Sequence, residues 1–390
     1  MIEYSLIKCT GCEACVNTCP VNAIRMEPNS EGFLYPVIEP SICNSCNKCD
    51  SVCQINGNFS HDVADQQLYA AVNQSRNDLL ESSSGGVFST LADYIVHLDG
   101  IIFGCSFDNA LTAKHSAATA EDGYARFRGS KYVQSSMGDT YQQVEQHLKN
   151  DKYVLFTGTP CQVEGLNCYL GKAYDKLITV DLICHGVPSP ELWKRHISWL
   201  ERKAGKRIIS YRFRGKYRVG WSLYYYYYYE GLSQPEHGIS RLDPYYTSFL
   251  AGENYRESCY QCKYANMRRP SDFTIGDYWG CSKYHKEVNP HNGVSLLLVN
   301  TKKAMSILPL LEKLELNPTK VEWVLHENRN LVEPTKRPNR RDGFYQDVLP
   351  DVQKWEEDFR RTSQWRMVKL KSMVPIKLKT LIKRVLRRGG

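Results

Sequence analysis

Cys9-Thr10-Gly11-Cys12-Glu13-Ala14-Cys15-Val16-Asn17-Thr18-Cys19-Pro20 and Cys43-Asn44-Ser45-Cys46-Asn47-Lys48-Cys49-Asp50-Ser51-Val52-Cys53 share one spacing, C-x2-C-x2-C-x3-C. Three closely spaced thiolates can hold three iron corners of a cubane, whereas the fourth lies too far round the turn and reaches the other cluster. The crossing gives Cys9, Cys12, Cys15 and Cys53 one 4Fe-4S cluster, and Cys43, Cys46, Cys49 and Cys19 a second. The alternative is structural zinc, which uses paired C-x2-C hooks and four ligands per ion. Two full runs of four favour the clusters. Between the runs, Ala23 to Glu27 and Phe33 to Ile38 read as two short strands around Asn29-Ser30-Glu31-Gly32. Cys19 is followed by proline and Cys53 by Gln54, a small departure from the repeat.

Residues 1–57 thus read as a two-cluster module of the bacterial ferredoxin kind, and the polar stretch from Gln54 to Gln67 as a linker. The chain has 390 residues, 42% hydrophobic and 24% charged, which leaves room for two or three globular domains. No apolar run is long enough to span a membrane. Met1-Ile2-Glu3-Tyr4 lacks the basic and apolar regions of a signal peptide, so the expectation is a cytoplasmic protein in which a count of fifteen cysteines points to metal ligands more than to disulfides. Net charge is +8, but eleven Lys or Arg and no acid lie between Arg360 and Arg388, leaving −3 for the rest. A nucleic-acid-binding body is not indicated.

From Leu68 strands and helices alternate. Val87 to Leu98, Tyr141 to Leu148 and a stretch from Pro188-Ser189-Pro190 to Lys203 read as helices. Ile101 to Phe107, Tyr153 to Phe156 and Leu177 to Ile183 read as strands, the last two running into Thr157-Gly158-Thr159-Pro160-Cys161 and Cys184-His185-Gly186. This predicts a mixed-sheet α/β domain. After Arg207 the chain looks richer in β, and Tyr224 to Tyr229, six tyrosines in a row, reads as a strand covered on both sides.

Seven cysteines lie outside the module. Cys161 and Cys184 each follow a strand, and Cys259 and Cys262 form a C-x2-C pair. Spacing alone leaves a third 4Fe-4S cluster, structural zinc and unconnected thiols open for these four. Cys105, Cys168 and Cys281 have no partner spacing and read as core or surface thiols.

Ser83-Ser84-Gly85-Gly86, Gly129-Ser130-Lys131-Tyr132, Thr157-Gly158-Thr159-Pro160-Cys161-Gln162, Cys184-His185-Gly186-Val187-Pro188 and Ser271-Asp272-Phe273-Thr274-Ile275-Gly276-Asp277-Tyr278-Trp279-Gly280 follow in that order. Together they resemble the β-subunit family of the coenzyme F420 hydrogenases and dehydrogenases, over residues 68–330. The resemblance is nearest to bacterial members with a fused two-cluster ferredoxin domain, several of which sit in surface-polysaccharide gene neighbourhoods. It implies an FAD, contacted by Ser84, Gly85, Gly86, Lys131, Thr157, Gly158 and Thr159. It also implies a cubane beside the flavin, on Cys161, Cys184, Cys259 and Cys262. Paired glycines before a helix would let a phosphate approach backbone N–H groups, and Lys131 would neutralise a diphosphate or sit near the ring. His185, beside a cluster ligand, could tune the cluster or relay a proton, with a structural hydrogen bond as the favoured alternative; Asp272 and Asp277 receive no catalytic task, and a salt bridge or turn cap is their default.

The implied function is a flavin-dependent oxidoreductase that exchanges single electrons with a redox partner protein or ferredoxin and acts on an unidentified small molecule. A deazaflavin is one candidate substrate, and a glycan-synthesis intermediate another. The competing reading is an electron-transfer adaptor without a substrate of its own. Residues 331–390 form a C-terminal extension. From Ile376 to Arg388 it has the pattern of a basic amphipathic helix suited to the anionic inner face of a membrane, with a solvated tail as the alternative.

Overall fold

A computed structural model describes residues 7–56, 65–216 and 220–373. The helix expected from Ile376 onward lies outside the described residues. No described helix is long and apolar enough to cross a membrane.

In the N-terminal module, β1 (Ile24–Pro28) and β2 (Leu34–Ile38) form an antiparallel hairpin. Short helices, Ala14–Thr18 and Lys48–Ser51, carry the ends of the two cysteine runs. The main body is one eight-stranded mixed sheet in the order β13-β3-β12-β11-β7-β6-β4-β5. Its strands are β3 (Gln67–Asn73), β4 (Ile101–Phe107), β5 (Ala113–Ala118), β6 (Val154–Gly158), β7 (Leu177–Leu182), β11 (Phe273–Asp277), β12 (Ser295–Val299) and β13 (Leu314–Pro318). The central strands β4, β6, β7 and β11 are parallel. An antiparallel sheet of β8 (Ile208–Arg212), β9 (Tyr224–Tyr229) and β10 (Glu236–Ile239) is inserted between β7 and β11.

Strand alternation explains the two cores of the main sheet. In β6, Leu155 points to the face covered by the Val87–His97 helix, where it joins Leu91, Ile95 and Ile178. Val154 and Phe156 point the other way, toward Val144 and Leu166 of the Thr140–Lys149 and Pro160–Leu170 helices. Fully burying a side chain of this kind contributes about 1.5–3 kcal/mol. Ala14 and Val52 of the N-terminal module join that second core, so the module packs directly on the body.

The helices and strands predicted within the described residues are present. The β-rich stretch after Arg207 corresponds to β8–β10, but β11–β13 return to the main sheet. The tyrosine strand is less symmetric than expected. Tyr225, Tyr227 and Tyr229 are buried in an aromatic core with Trp193 and Tyr211, whereas on the other face Tyr224 is buried and Tyr226 and Tyr228 are only half-buried. Gln54 is no linker residue, because its side chain is buried against the body.

Candidate metal centres and cofactor cradle

Both cysteine runs have the same backbone shape. Gly11 and Glu13 in the first, and Ser45 and Asn47 in the second, have positive φ between 55° and 67°. These left-handed turns curl each run around one point; non-glycine residues adopt them at a local cost. Cys9, Cys12, Cys15 and Cys53 line one recess. Cys19, Cys43, Cys46 and Cys49 line another. Each recess thus takes its fourth cysteine from the other run.

The other four cysteines come from three separate segments. Cys161 opens the Pro160–Leu170 helix after β6, Cys184 follows β7, and Cys259 and Cys262 belong to a tight turn held on Arg256 and Val187 backbone groups. Their sulfurs lie within electrostatic reach of one another. Burial first, and neighbouring thiols second, push Cys184 well up and Cys259 up to about 12; burial also raises Cys161 and Cys262. Buried thiols gathered this way suit a cationic inorganic core, whose binding releases their protons. Among the described residues no group of three or more His, Cys, Asp or Glu closes around a single metal ion. Cys12 touches the same region: a Cβ on Gly165, one turn after Cys161, would lie 3.0 Å from its sulfur. Cys168 and Cys281 are buried and Cys105 is half-buried.

The residues proposed for flavin contact fall into two groups. Ser130 donates from N to Ser83 Oγ at 2.8 Å, which brings the Gly129–Lys131 loop against the Ser83–Gly86 loop. In that second loop Gly85 packs on the sheet: a Cβ there would sit 2.2 Å from Ala71 O and 2.4 Å from Ser295 N. Gly86 has φ +84° and precedes the Val87–His97 helix. Close backbone approach thus accounts for Gly85, and the left-handed φ, with the Asn73 side chain beside it, for Gly86. The Lys131 ammonium donates to the carbonyls of Arg126, Phe127 and Arg128 at 3.0–3.1 Å, which uses its three hydrogens, and burial brings its pKa down to about 8.

Thr157, Gly158 and Thr159 lie at the end of β6. Thr157 Oγ1 donates to Phe103 O, and Thr159 N donates to Gln162 Oε1. Thr159 Oγ1 is 3.2 Å from Cys161 Sγ, so this side chain faces the cysteine set.

Residues missed in the sequence complete the cradle. Lys216 reaches across to the carbonyls of Leu79 and Ser84. Burial is the main reason its pKa falls to about 7; Arg214 pushes the same way, against Asp277 and Glu81. Arg214 pairs with Asp277, donates to Ser222 O, and has a buried Nη2 without a hydrogen-bond partner. Asp277 and Arg214 also act on His185, next to Cys184, whose pKa is lowered chiefly by desolvation. Asp272 accepts from Thr179 and Thr301 and pairs with Lys303, a structural tie.

A second missed group is buried beside Thr157. His115 Nε2 is 3.0 Å from Thr157 O and Nδ1 is 3.1 Å from Ser135 Oγ. A carbonyl only accepts, so Nε2 carries the proton, and burial keeps the ring neutral with a pKa down to about 4. Gln162 donates to the same serine at 3.0 Å. Isolated His, Ser and Gln residues carry no spacing signal, and only the sheet brings them together.

Residues 8–56 match the model of the 4Fe-4S dicluster domain, and residues 151–321 match that of the C terminus of the coenzyme F420 hydrogenase/dehydrogenase beta subunit. An uncharacterized ferredoxin of Methanocaldococcus jannaschii is 38% identical over 52 residues, covering 13% of this chain and 77% of the ferredoxin. A ferredoxin of Alicyclobacillus acidocaldarius subsp. acidocaldarius is 31% identical over 71 residues, covering 18% of this chain and 85% of its own. Among solved structures, a chain of the F420-reducing [NiFe] hydrogenase complex from Methanosarcina barkeri aligns with a TM-score of 0.42 and 16% identity, over 77% of this chain and 95% of that one.

Proposed function

Because the chain belongs to the coenzyme F420 hydrogenase/dehydrogenase β-subunit family and carries a 4Fe-4S dicluster domain at its N-terminus, we propose that it is an iron–sulfur flavoprotein oxidoreductase with three cubanes and one FAD. Its ligands are Cys9, Cys12, Cys15 and Cys53; Cys43, Cys46, Cys49 and Cys19; and Cys161, Cys184, Cys259 and Cys262. A flavin exchanges electrons in pairs and a cubane singly, so together they connect an organic substrate to a one-electron carrier.

The observation that carries this reading is the adjacency of the cradle to the third cysteine set. Lys216 donates to Ser84 O of the Ser83–Gly86 loop, and Arg214, within electrostatic reach of Lys216, pairs with Asp277 within reach of His185, next to Cys184. Lys216 and the unpartnered Arg214 Nη2 supply the cationic donors an FAD diphosphate requires. Lys131 steadies the loop after Arg126, and Thr159 orients the Cys161 sulfur. A cleft lined by Ile183, His185, Tyr260, Trp279, Glu327 and Lys336 opens beside Cys184 and is the place for the small-molecule substrate. At the other end Cys46 is exposed, which gives a partner protein access to the second cluster.

The test is Cys184→Ala in the full chain, purified anaerobically. The variant should keep its flavin, lose up to about four irons, and no longer equilibrate flavin with the N-terminal clusters. Full iron with normal flavin-to-cluster transfer would remove Cys184 from the ligand set.

A further inference from the structure

Arg256 lies between the first and third cysteine sets, with its side chain wholly buried. Nε donates to Cys9 O at 2.7 Å; Nη1 donates to Leu34 O at 3.0 Å and to Gln134 Oε1 at 3.1 Å. The guanidinium carbon stands 3.9 Å from the Tyr35 ring centroid. Gly11 leaves it room, since a Cβ there would meet Nη1 at 3.0 Å and Cζ at 3.2 Å. On the other side, the Arg256 carbonyl accepts from Cys259 N at 2.9 Å, and the positive charge reaches the Cys259 sulfur.

The other buried arginines of the body are paired: Arg269 with Asp181, Arg214 with Asp277, and Arg341 with Glu31. Arg256 hydrogen-bonds only neutral acceptors among the described residues, and its buried Nη2 has no partner. Glu13 lies within electrostatic reach, but its carboxylate accepts from Met137 N and Gly138 N and makes no ion pair with Arg256 among the described residues. A buried cation without a direct ion pair is costly, and a buried orphan N–H adds to the cost. A cubane held by four thiolates is a net anion with sulfur acceptors, and it gains one more negative charge on reduction. Two such groups flank Arg256 if the cysteine sets hold cubanes.

We propose that Arg256 is the shared counter-cation of the first and third clusters and raises the reduction potential of both. The proposal rests on the three-cluster reading. The second cluster, on Cys19, Cys43, Cys46 and Cys49, receives no hydrogen bond from Arg256 among the described residues, whereas the first does through the Cys9 carbonyl, and it serves as the internal control.

The experiment is a potentiometric titration of the full chain followed by electron paramagnetic resonance, with iron counted on the same samples. Arg256→Met should make reduction of the first and third clusters at least tenfold less favourable, about 59 mV per one-electron couple, and leave the second unmoved. Arg256→Lys keeps the charge and should stay near the wild-type potentials. Unmoved potentials in Arg256→Met at full iron content overturn the proposal and leave the cluster reading intact. A fall in Arg256→Lys as large as that predicted for Met overturns it as well, and this arm stands even if the Met variant does not fold. About eight irons in the wild type, instead of about twelve, overturns the shared-cation proposal together with the reading beneath it.

Discussion

Gln54 and Cys161 are joined across the chain by a hydrogen bond of 2.8 Å, from Gln54 Nε2 to the Cys161 carbonyl oxygen. Tyr264 donates to Gln54 Oε1, and Lys263 donates to the Gln54 carbonyl at 2.5 Å. The residue after the last cysteine of the second run thus grips both segments that bring Cys161 and Cys262 together. Proline, which follows Cys19, has no side chain able to do this.

Gln54→Ala leaves the Tyr264 hydroxyl without its buried acceptor and the Cys161 carbonyl without this donor. The cost expected is about 1–3 kcal/mol. It should appear as a lower denaturant midpoint at which the N-terminal clusters are lost, and as slower equilibration between flavin and those clusters. An unchanged midpoint and rate would show that the module is held by its other contacts.

Crossed ligation makes a prediction that sequence proximity would reverse. Cys19→Ala should damage the cluster held by Cys43, Cys46 and Cys49, and spare the one held by Cys9, Cys12, Cys15 and Cys53. The Cys19 thiol lies within electrostatic reach of Cys49, and Cys9 within reach of Cys53, as the crossing requires. Spectroscopy of the variant showing loss confined to the Cys9 set would contradict the assignment.

The module and the central strands were legible because cysteine spacing and apolar runs are local signals. The tie made by Gln54 was not legible, since a polar residue among polar neighbours looks the same whether it is buried or free. The resemblance offers a phosphate as the reason for Gly85 and Gly86; the structure adds another at 85, where the return of β12 to the sheet supplies a close contact that excludes a side chain. That return lies more than 200 residues away along the chain and leaves no local trace. Lys216 and Arg214 have no local signal for the same reason, because the segment after β8 carries Lys216 to Ser84 and Arg214 to Asp277.

At the proposed flavin site, Lys216 should give binding a pH dependence. Its pKa in the ligand-free protein is down to about 7, and an anionic diphosphate favours the protonated amine. Binding therefore takes up a proton above that pH, and flavin affinity should fall as pH rises from about 7 to 9, by up to tenfold per unit. Lys216→Met should bind flavin more weakly and lose most of this slope. Fluorescence titration across that range is the check; an equal slope in both proteins would exclude Lys216 from the phosphate site.

His196 anchors the C-terminal extension. Nδ1 lies 2.5 Å from Glu356 Oε1 and Nε2 lies 3.3 Å from Asp243 Oδ2, all wholly or almost wholly buried. Burial alone would lower its pKa, but the two carboxylates overcome this and hold it up to about 10. An unfolded histidine titrates near 6.5, so this stabilisation is complete below about that pH and is lost as pH rises through about 10. His196→Gln should cost about 3–5 kcal/mol at neutral pH, as expected for breaking a buried charge cluster. It should also remove most of the stability loss between about pH 7 and 10, read from denaturation midpoints at each pH.

Counting iron, acid-labile sulfide, zinc and flavin per chain, after anaerobic purification of the full chain, tests the central claim most directly. The account predicts about twelve irons, as many sulfides, one FAD and no zinc. About eight irons with about one zinc would contradict it, because Cys161, Cys184, Cys259 and Cys262 would then hold a structural ion instead of the cluster that links the flavin to the N-terminal relay.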